Sequence, residues 1–336
     1  MKTKLIAEIS ANHLGDLSIA KKLIHAAQDA GATHVKLQTY KADTMTLNLN
    51  STDFSISKEH KLWGGRSLYG LYEEAHTPWE WHKELFELAE ELGIEIFSSP
   101  FDKTAVDFLE NLDISMYKIA SMESGDIPLI KYVAKTQKPI IASTGSSTLE
   151  EIDELVEAVH SEGNKNLTLL LCTSAYPTPH NQVHLARMDL LRERYSLPIG
   201  LSDHTLGNST SLAAVAMGAT VIERHFILDR SQGGPDSVFS LEPNEFNELS
   251  IQIKQIEESL GNRDWEIQPD ESESRRLRRS LIISSDVKKG DSVTEKNVKS
   301  LRPAIGLEPK FFDAVMGKKF VSDFKCGHPL NWASIE

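Results

Sequence analysis

The sequence predicts an α/β fold, a (β/α)8 TIM barrel followed by a small, mostly β module. Three observations carry this. Short apolar runs alternate with amphipathic stretches up to about residue 260, nearly every run closes on polar residues, and composition breaks at 262–279. The strand-like runs are Leu5–Ser10, His34–Thr39, Glu95–Pro100, Met116–Ser121, Pro139–Thr144, Leu167–Cys172, Pro198–His204 and Val221–Phe226. Helical patterns such as Leu17–Ala30, Pro78–Leu92, Thr148–Ser161 and Gly207–Met217 separate them. Strict alternation implies parallel strands joined by crossover helices. Eight such units within about 250 residues match a closed barrel. A doubly wound open sheet would bring a glycine-rich phosphate loop after an early strand, and the sequence has none.

The polar strand ends are Glu8, Lys36 and Gln38, Ser98 and Ser99, Lys118 and Ser121, Ser143 and Thr144, Ser202 and His204, Glu223 and His225. In a barrel these converge on one mouth, where active sites form. The connection Lys41–His76 is unusually long and carries Trp63-Gly-Gly-Arg66, which predicts an ordered lid or substrate wall. Acidic Pro269–Ser274 is followed by Arg275, Arg276, Arg278 and Arg279, and reads as a linker. The domain expectation is therefore a barrel over 1–262, a linker over 263–280 and a module over 281–336, marginal alone at its size.

A net charge of −13 over 336 residues argues against a nucleic-acid or anionic-membrane partner. An anionic substrate must then be captured by local basic groups. Cys172 and Cys326 are the only cysteines and suggest no disulfide scaffold. The apolar run after Met1-Lys-Thr-Lys is too short for a signal peptide, and no stretch reaches the ~18 residues of a membrane span. A soluble cytoplasmic protein is expected.

His204 and His225 close adjacent strands, so their imidazoles should be neighbours at the mouth. Such a pair, with oxygen or water ligands, suits Mn, Fe, Co or Zn and leaves positions open for substrate. Either ring alone could equally be a hydrogen-bonded rim residue. Glu8 can hold or deprotonate a metal-bound water, or serve as the partner that a buried Lys36 or Lys118 requires. Lys36 and Lys118 with Ser99, Ser121, Ser143, Thr144 and Ser202 form a candidate anion cradle, since phosphate needs cations and hydroxyl donors aimed at one point. A Schiff-base Lys118, or serines acting as strand caps, is the alternative. Tyr176, in a proline-stiffened loop, could wall the pocket or serve a structural turn.

Taken together, Ile6-Ala-Glu-Ile-Ser-Ala-Asn-His-Leu-Gly15, Val35-Lys-Leu-Gln-Thr39, Ser98-Ser-Pro-Phe101, Tyr117-Lys-Ile-Ala-Ser121, Ser143-Thr-Gly145, Cys172-Thr-Ser-Ala-Tyr-Pro-Thr-Pro179, Gly200-Leu-Ser-Asp-His-Thr205 and Glu223-Arg-His-Phe226 resemble the sialic acid synthase family. The C-terminal module, with Val287-Lys-Lys-Gly290 and Arg302-Pro303, is similar to that family's antifreeze-like (SAF) domain. Within the family, Leu62–Trp81 is similar to the pseudaminic acid branch. Ser174 and Ser99 stand where N-acetylneuraminate synthases usually carry asparagine and threonine. The resemblance implies metal-dependent condensation of phosphoenolpyruvate with 2,4-diacetamido-2,4,6-trideoxy-L-altrose, with phosphate lost by C–O cleavage. It implies Mn2+, with Mg2+ or Co2+ as alternatives, on His204 and His225. Glu8 would organise water or act as base, with Lys36, Lys118, Ser121, Ser143 and Ser202 on phosphoenolpyruvate. Gln38, Glu123, Tyr176 and Asp236 become sugar-pocket candidates, with Ser174 touching substrate. A 6-deoxy sugar favours an apolar wall from Trp63, Trp79 or Trp81. Arg302 would come from the other subunit of a domain-swapped homodimer. Sibling synthases, a metal-dependent aldolase and a non-catalytic sugar-binding protein are the rival readings.

Overall fold

The computed structural model describes residues 2–59 and 62–336. His60 and Lys61 of the long connection, and Met1, lie outside the described residues. The chain divides into two compact units, Met1–Gly261 and Asn262–Glu336.

In the first unit, strands β1 (Lys4–Glu8), β2 (His34–Thr39), β3 (Glu95–Pro100), β4 (Tyr117–Ile119), β5 (Ile140–Ser143), β6 (Leu167–Cys172), β7 (Ile199–Ser202) and β8 (Val221–His225) pair in sequence order. All pairs are parallel, and β8 returns to β1 with Glu8 opposite His225. This is the closed (β/α)8 barrel that the alternation predicts. Around it run α1 (Leu17–Asp29), α2 (Ala42–Met45), α3 (Leu68–Ala75), α4 (Trp79–Leu92), α5 (Lys103–Glu110), α6 (Ile127–Ala134), α7 (Leu149–Ser161), α8 (Arg187–Tyr195), α9 (Ser209–Ala216) and α10 (Pro243–Leu260).

The helices form where caps and apolar spacing coincide. Asp16 accepts from the Ser18 N–H at the start of α1, whose Ala20, Leu23, Ile24 and Ala27 bury one face at i, i+3, i+4 and i+7. Thr148 and Glu151 form a capping box on α7, which buries Ile152, Leu155, Val156 and Val159. Between helices and strands, Val35, Leu37, Leu85 and Phe97 belong to one apolar shell, each buried side chain stabilising by about 1.5–3 kcal/mol.

Strand ends differ from the predicted ones where the chain turns toward the mouth. β1 stops at Glu8 rather than Ser10, because Ser10 adopts φ 49°. β4 stops at Ile119, since Ser121–Glu123 tightens into a 3-10 turn. β7 ends at Ser202, two residues before His204. The long 41–76 connection contains α2, a 3-10 turn Thr52–Phe54, a bridge from Ser55 to Ser67, and α3.

The second unit opens on α11 (Glu271–Arg276), so the predicted linker is partly helical. Glu271 and Glu273 sit in its first turn and Arg275 and Arg276 in its last, both favourable to the helix dipole. β9 (Ser280–Ile283) and β10 (Val298–Leu301) pair antiparallel, followed by α12 (Phe312–Val315). Isolated bridges from Ile282 to Pro329, Val287 to Phe324 and Ser292 to Lys319 complete a mostly extended module around Leu281, Val298, Phe320 and Leu330.

Candidate active site

The C-terminal strand ends open into a cavity of about 440 Å³. Alternation along each strand decides what reaches it, because successive side chains point to opposite faces. From β2 come Lys36 and Gln38, and from the ends of β4 and β5 come Lys118 and Ser143. Ser202 and His204 arrive around β7, Glu223 and His225 from β8. Thr144 is out of step. Its hydroxyl donates to the Leu170 carbonyl and it lines a neighbouring cavity of about 490 Å³ with Ser174.

One side of the cavity is a buried charge network. Lys36 contacts Glu8, lies 3.9 Å from Glu223 and donates to Ser99 Oγ at 3.4 Å. Lys118 lies 3.7 Å from Glu223 and donates to Ser143 Oγ at 2.8 Å and the Ile119 carbonyl at 3.2 Å. Ser202 Oγ donates to Glu223 at 2.9 Å. Two buried lysines therefore face two buried carboxylates. Burial pushes the Glu8 carboxyl up to about 7, with Lys36 opposing. At Glu223 burial opposes ionisation too, but Lys118 and Lys36 outweigh it and hold the carboxyl below its ordinary value. Burial lowers Lys118, partly offset by Glu223. Glu223 is thus held as an anion more firmly than Glu8. Lys36 and Gln38 stand between Glu8 and the cavity, and Glu8 is not part of its wall.

The other side is cation-seeking. The His204 and His225 rings are 5.3 Å apart, centroid to centroid. Burial lowers His204 to about 4 and His225 well below its ordinary value, so both rings are neutral. The Nδ1 of each is buried without a hydrogen-bond partner, the state expected of imidazoles awaiting a ligand. Among the described residues no group of three or more His, Cys, Asp or Glu side chains is arranged for a metal. A dication held here would complete its shell with water or substrate oxygens.

The rim opposite is apolar. Tyr176 packs 4.6 Å from His204 and 6.0 Å from Trp63, whose indole donates to the Pro235 carbonyl. Tyr40, Leu68, Leu71 and Tyr72 extend this wall. Of the three expected tryptophans only Trp63 takes part. Trp79 stacks on Phe108 and donates to the Tyr40 carbonyl, and Trp81 packs edge-on to His13, because α4 lies behind the strands.

Asp236 reaches the cavity from the loop after β8, with its carboxylate 3.8 Å from His225 Nδ1. Ser10 donates to it, and Gln38 donates to both Ser10 Oγ and Glu8, each at 3.1 Å. Ser121 lines the cavity and accepts from the Gly145 N–H at 3.1 Å. A Cβ on Gly145 would lie 2.3 Å from the Ser174 hydroxyl and 2.6 Å from that of Ser121, so a larger residue would displace both. Glu123 sits just outside the wall. Burial raises its carboxyl to about 7 against the pull of Lys118. Arg302 belongs to the second unit, exposed directly after β10.

Four features escape reading by residue type. Glu223 as the shared partner of both lysines was signalled only by its place at a strand end. Ser10 and the Tyr40–Leu71–Tyr72 wall gave no signal. Buried Arg224 pairs with Asp203 at 2.7 Å and donates to the Thr205 and Gly207 carbonyls. Both alternate with site residues, and so face outward and brace the turn carrying His204.

Buried lysines facing hydroxyls suit an anion, and neutral paired imidazoles suit a cation. A parallel barrel offering both at its strand C-termini is an enzyme of phosphate-ester chemistry. The chain belongs to the NeuB family, whose profile matches residues 23–264, and the SAF domain profile matches residues 278–336. It is 45% identical over 335 residues to a pseudaminic acid synthase of Campylobacter jejuni, covering 100% of this chain and 97% of that one. A pseudaminic acid synthase of Helicobacter pylori is 45% identical over 334 residues, covering 99% and 98%. The crystal structure of a putative spore coat polysaccharide biosynthesis protein E from Chromobacterium violaceum aligns with TM-score 0.75 at 28% identity, covering 99% of each chain.

Proposed function

We propose that the chain makes pseudaminic acid, condensing phosphoenolpyruvate with 2,4-diacetamido-2,4,6-trideoxy-L-altrose and releasing phosphate. The observation that carries this is one cavity uniting a lysine–hydroxyl cradle, two neutral imidazoles and an apolar rim. End-to-end identity of 45% to pseudaminic acid synthases supports the choice of sugar.

Lys36 and Lys118, with Ser121, Ser143 and Ser202, bind phosphoenolpyruvate. Its arrival neutralises the cationic side of a network that Glu223 otherwise balances. His204 and His225 fit a divalent ion, Mn2+ first, with Mg2+ or Co2+ as alternatives. When bound, such an ion polarises the sugar aldehyde. C3 of phosphoenolpyruvate forms the new bond to the aldehyde carbon, whose oxygen takes a proton. The positive charge developing at C2 is stabilised by Glu223, whose carboxylate lines the cavity. Water adds at C2 with loss of a proton to a carboxylate of the site, and the intermediate expels phosphate by C–O cleavage. Gln38, Tyr176 and Asp236 orient the sugar, and Tyr40, Leu71 and Trp63 face its 6-methyl group. Holding both substrates in one mouth removes much of the bimolecular entropy cost. Two free cysteines, and no helix among the described residues long and apolar enough to cross a membrane, suit a cytoplasmic setting.

The test is phosphate release from phosphoenolpyruvate with each of three sugars, the altrose derivative, N-acetylmannosamine and the legionaminate precursor, with Mn2+ and with chelator. Metal-dependent release is expected, fastest with the altrose derivative. In 18O water the label should enter the sugar acid. Label in the released phosphate would overturn the C–O cleavage route, and a faster sibling sugar would reassign the substrate.

A further inference from the structure

Ser10 follows β1 with φ 49°, a left-handed backbone in which a Cβ is crowded and glycine is the default. It is 3% exposed, so solvent does not account for a serine there. Strained conformations of this kind persist where surrounding structure enforces them, and they gather at functional sites. Here the conformation aims the Ser10 hydroxyl at the Asp236 carboxylate, to which it donates. The same hydroxyl accepts from Gln38 Nε2, which also donates to Glu8.

The loop bearing Asp236 is fastened separately. Ser240 Oγ donates to the Asp236 carbonyl at 2.7 Å, and Asn12 Nδ2 donates to Ser240 Oγ and the Phe226 carbonyl, each at 2.9 Å. The Ser10 hydroxyl is therefore not what secures the loop backbone. Its remaining effect is on the direction of the Asp236 carboxylate and the Gln38 amide.

We propose that Ser10 is a positioning residue for the sugar substrate, holding the Asp236 carboxylate in place across the seam between β1 and β8. This rests on the synthase reading above. The hydrogen bonds of Lys36 and Lys118 go to other residues, so removing the Ser10 hydroxyl should fall chiefly on the sugar.

The experiment is steady-state phosphate release by the full-length protein and its S10A, S10G, D236A and S10A/D236A variants. S10A and S10G should each lose about tenfold in kcat/KM for the sugar, the effect of one hydrogen bond to a charged group. The KM for phosphoenolpyruvate should stay within about twofold of wild type. S10G should keep its Tm within about 3 °C, because glycine accepts the left-handed backbone. In the D236A background, S10A should change sugar kcat/KM by less than about twofold, as coupled neighbours require. An S10A loss that persists in full without Asp236 would overturn the proposal. So would an unchanged S10A, or an equal loss for both substrates. A wild-type protein releasing no phosphate with any sugar would instead overturn the synthase reading, and is recognised before any variant is compared.

Discussion

Lys118 donates to Ser143 and faces Glu223, both side chains buried. Lys118→Ala leaves Glu223 with one cation fewer and the cradle half empty. Breaking a buried charge pair costs about 2–5 kcal/mol, so kcat/KM for phosphoenolpyruvate should fall by about 30-fold or more, chiefly through KM. Steady-state kinetics at saturating sugar measures this. Glu123 makes the opposite kind of prediction. Its burial raises the folded carboxyl from 4.5 to about 7. Across that window the native state holds a proton the unfolded chain releases, so stability is lost as pH rises through it. Glu123→Gln removes the liability. Its Tm should exceed wild type at pH 8, and the gap should close as pH falls towards 5, as thermal denaturation at both values will register. Sugar turnover should drop in the same variant if the carboxylate serves the substrate.

At the scale of elements, period-2 alternation divides β7 and β8 into a chemical face and a supporting face. Ser202, Glu223 and His225 line the cavity, while Asp203 and Arg224 pair behind them. Arg224→Ala strands a buried Asp203 and frees the Thr205 and Gly207 carbonyls. A loss of about 3–5 kcal/mol in urea denaturation is expected. Reduced activity should accompany it, because the released turn carries His204. The same alternation explains what could be read in advance. Strand C-termini are polar for one purpose, so Lys36, Gln38, Lys118, Ser143, Ser202, His204 and His225 were legible from position alone. Thr144 obeyed the same residue-type rule but turns away to the Leu170 carbonyl. The apolar wall was illegible for a different reason. Tyr40, Leu71 and Tyr72 come from a connection and a helix whose placement depends on tertiary packing, and the tryptophans of α4 looked equally suitable until that helix was seen to lie behind the strands. Ser10 was hidden because a serine has no sequence pattern that announces a positive φ.

At the scale of the whole molecule, the homodimer that the family resemblance implies would give Arg302 its role. Arg302 is exposed on the second unit, and the family resemblance assigns it to the partner's sugar. Sedimentation should then report twice the 37.5 kDa of one chain. Arg302→Ala and Lys118→Ala should each be weak alone. Denatured and refolded together, they should regain about a quarter of wild-type sites, because one site of each mixed dimer has an intact barrel and an intact module. Arg302 acting within its own chain predicts no recovery.

The seam of the barrel has a consequence for how the protein comes into being. Glu8 stands opposite His225, and Asn12 grips the carbonyl of Phe226, so the first strand meets the last at the very place where catalysis is proposed. During translation the ribosome releases the first strand long before its neighbour exists. On the proposed mechanism, a nascent or truncated chain lacking the eighth strand would lack Glu223 and His225 and should be inert. Catalytic competence would appear late, with ring closure setting its earliest moment and pairing with the partner's Arg302 completing it, as a pulse-labelled synthesis experiment would show.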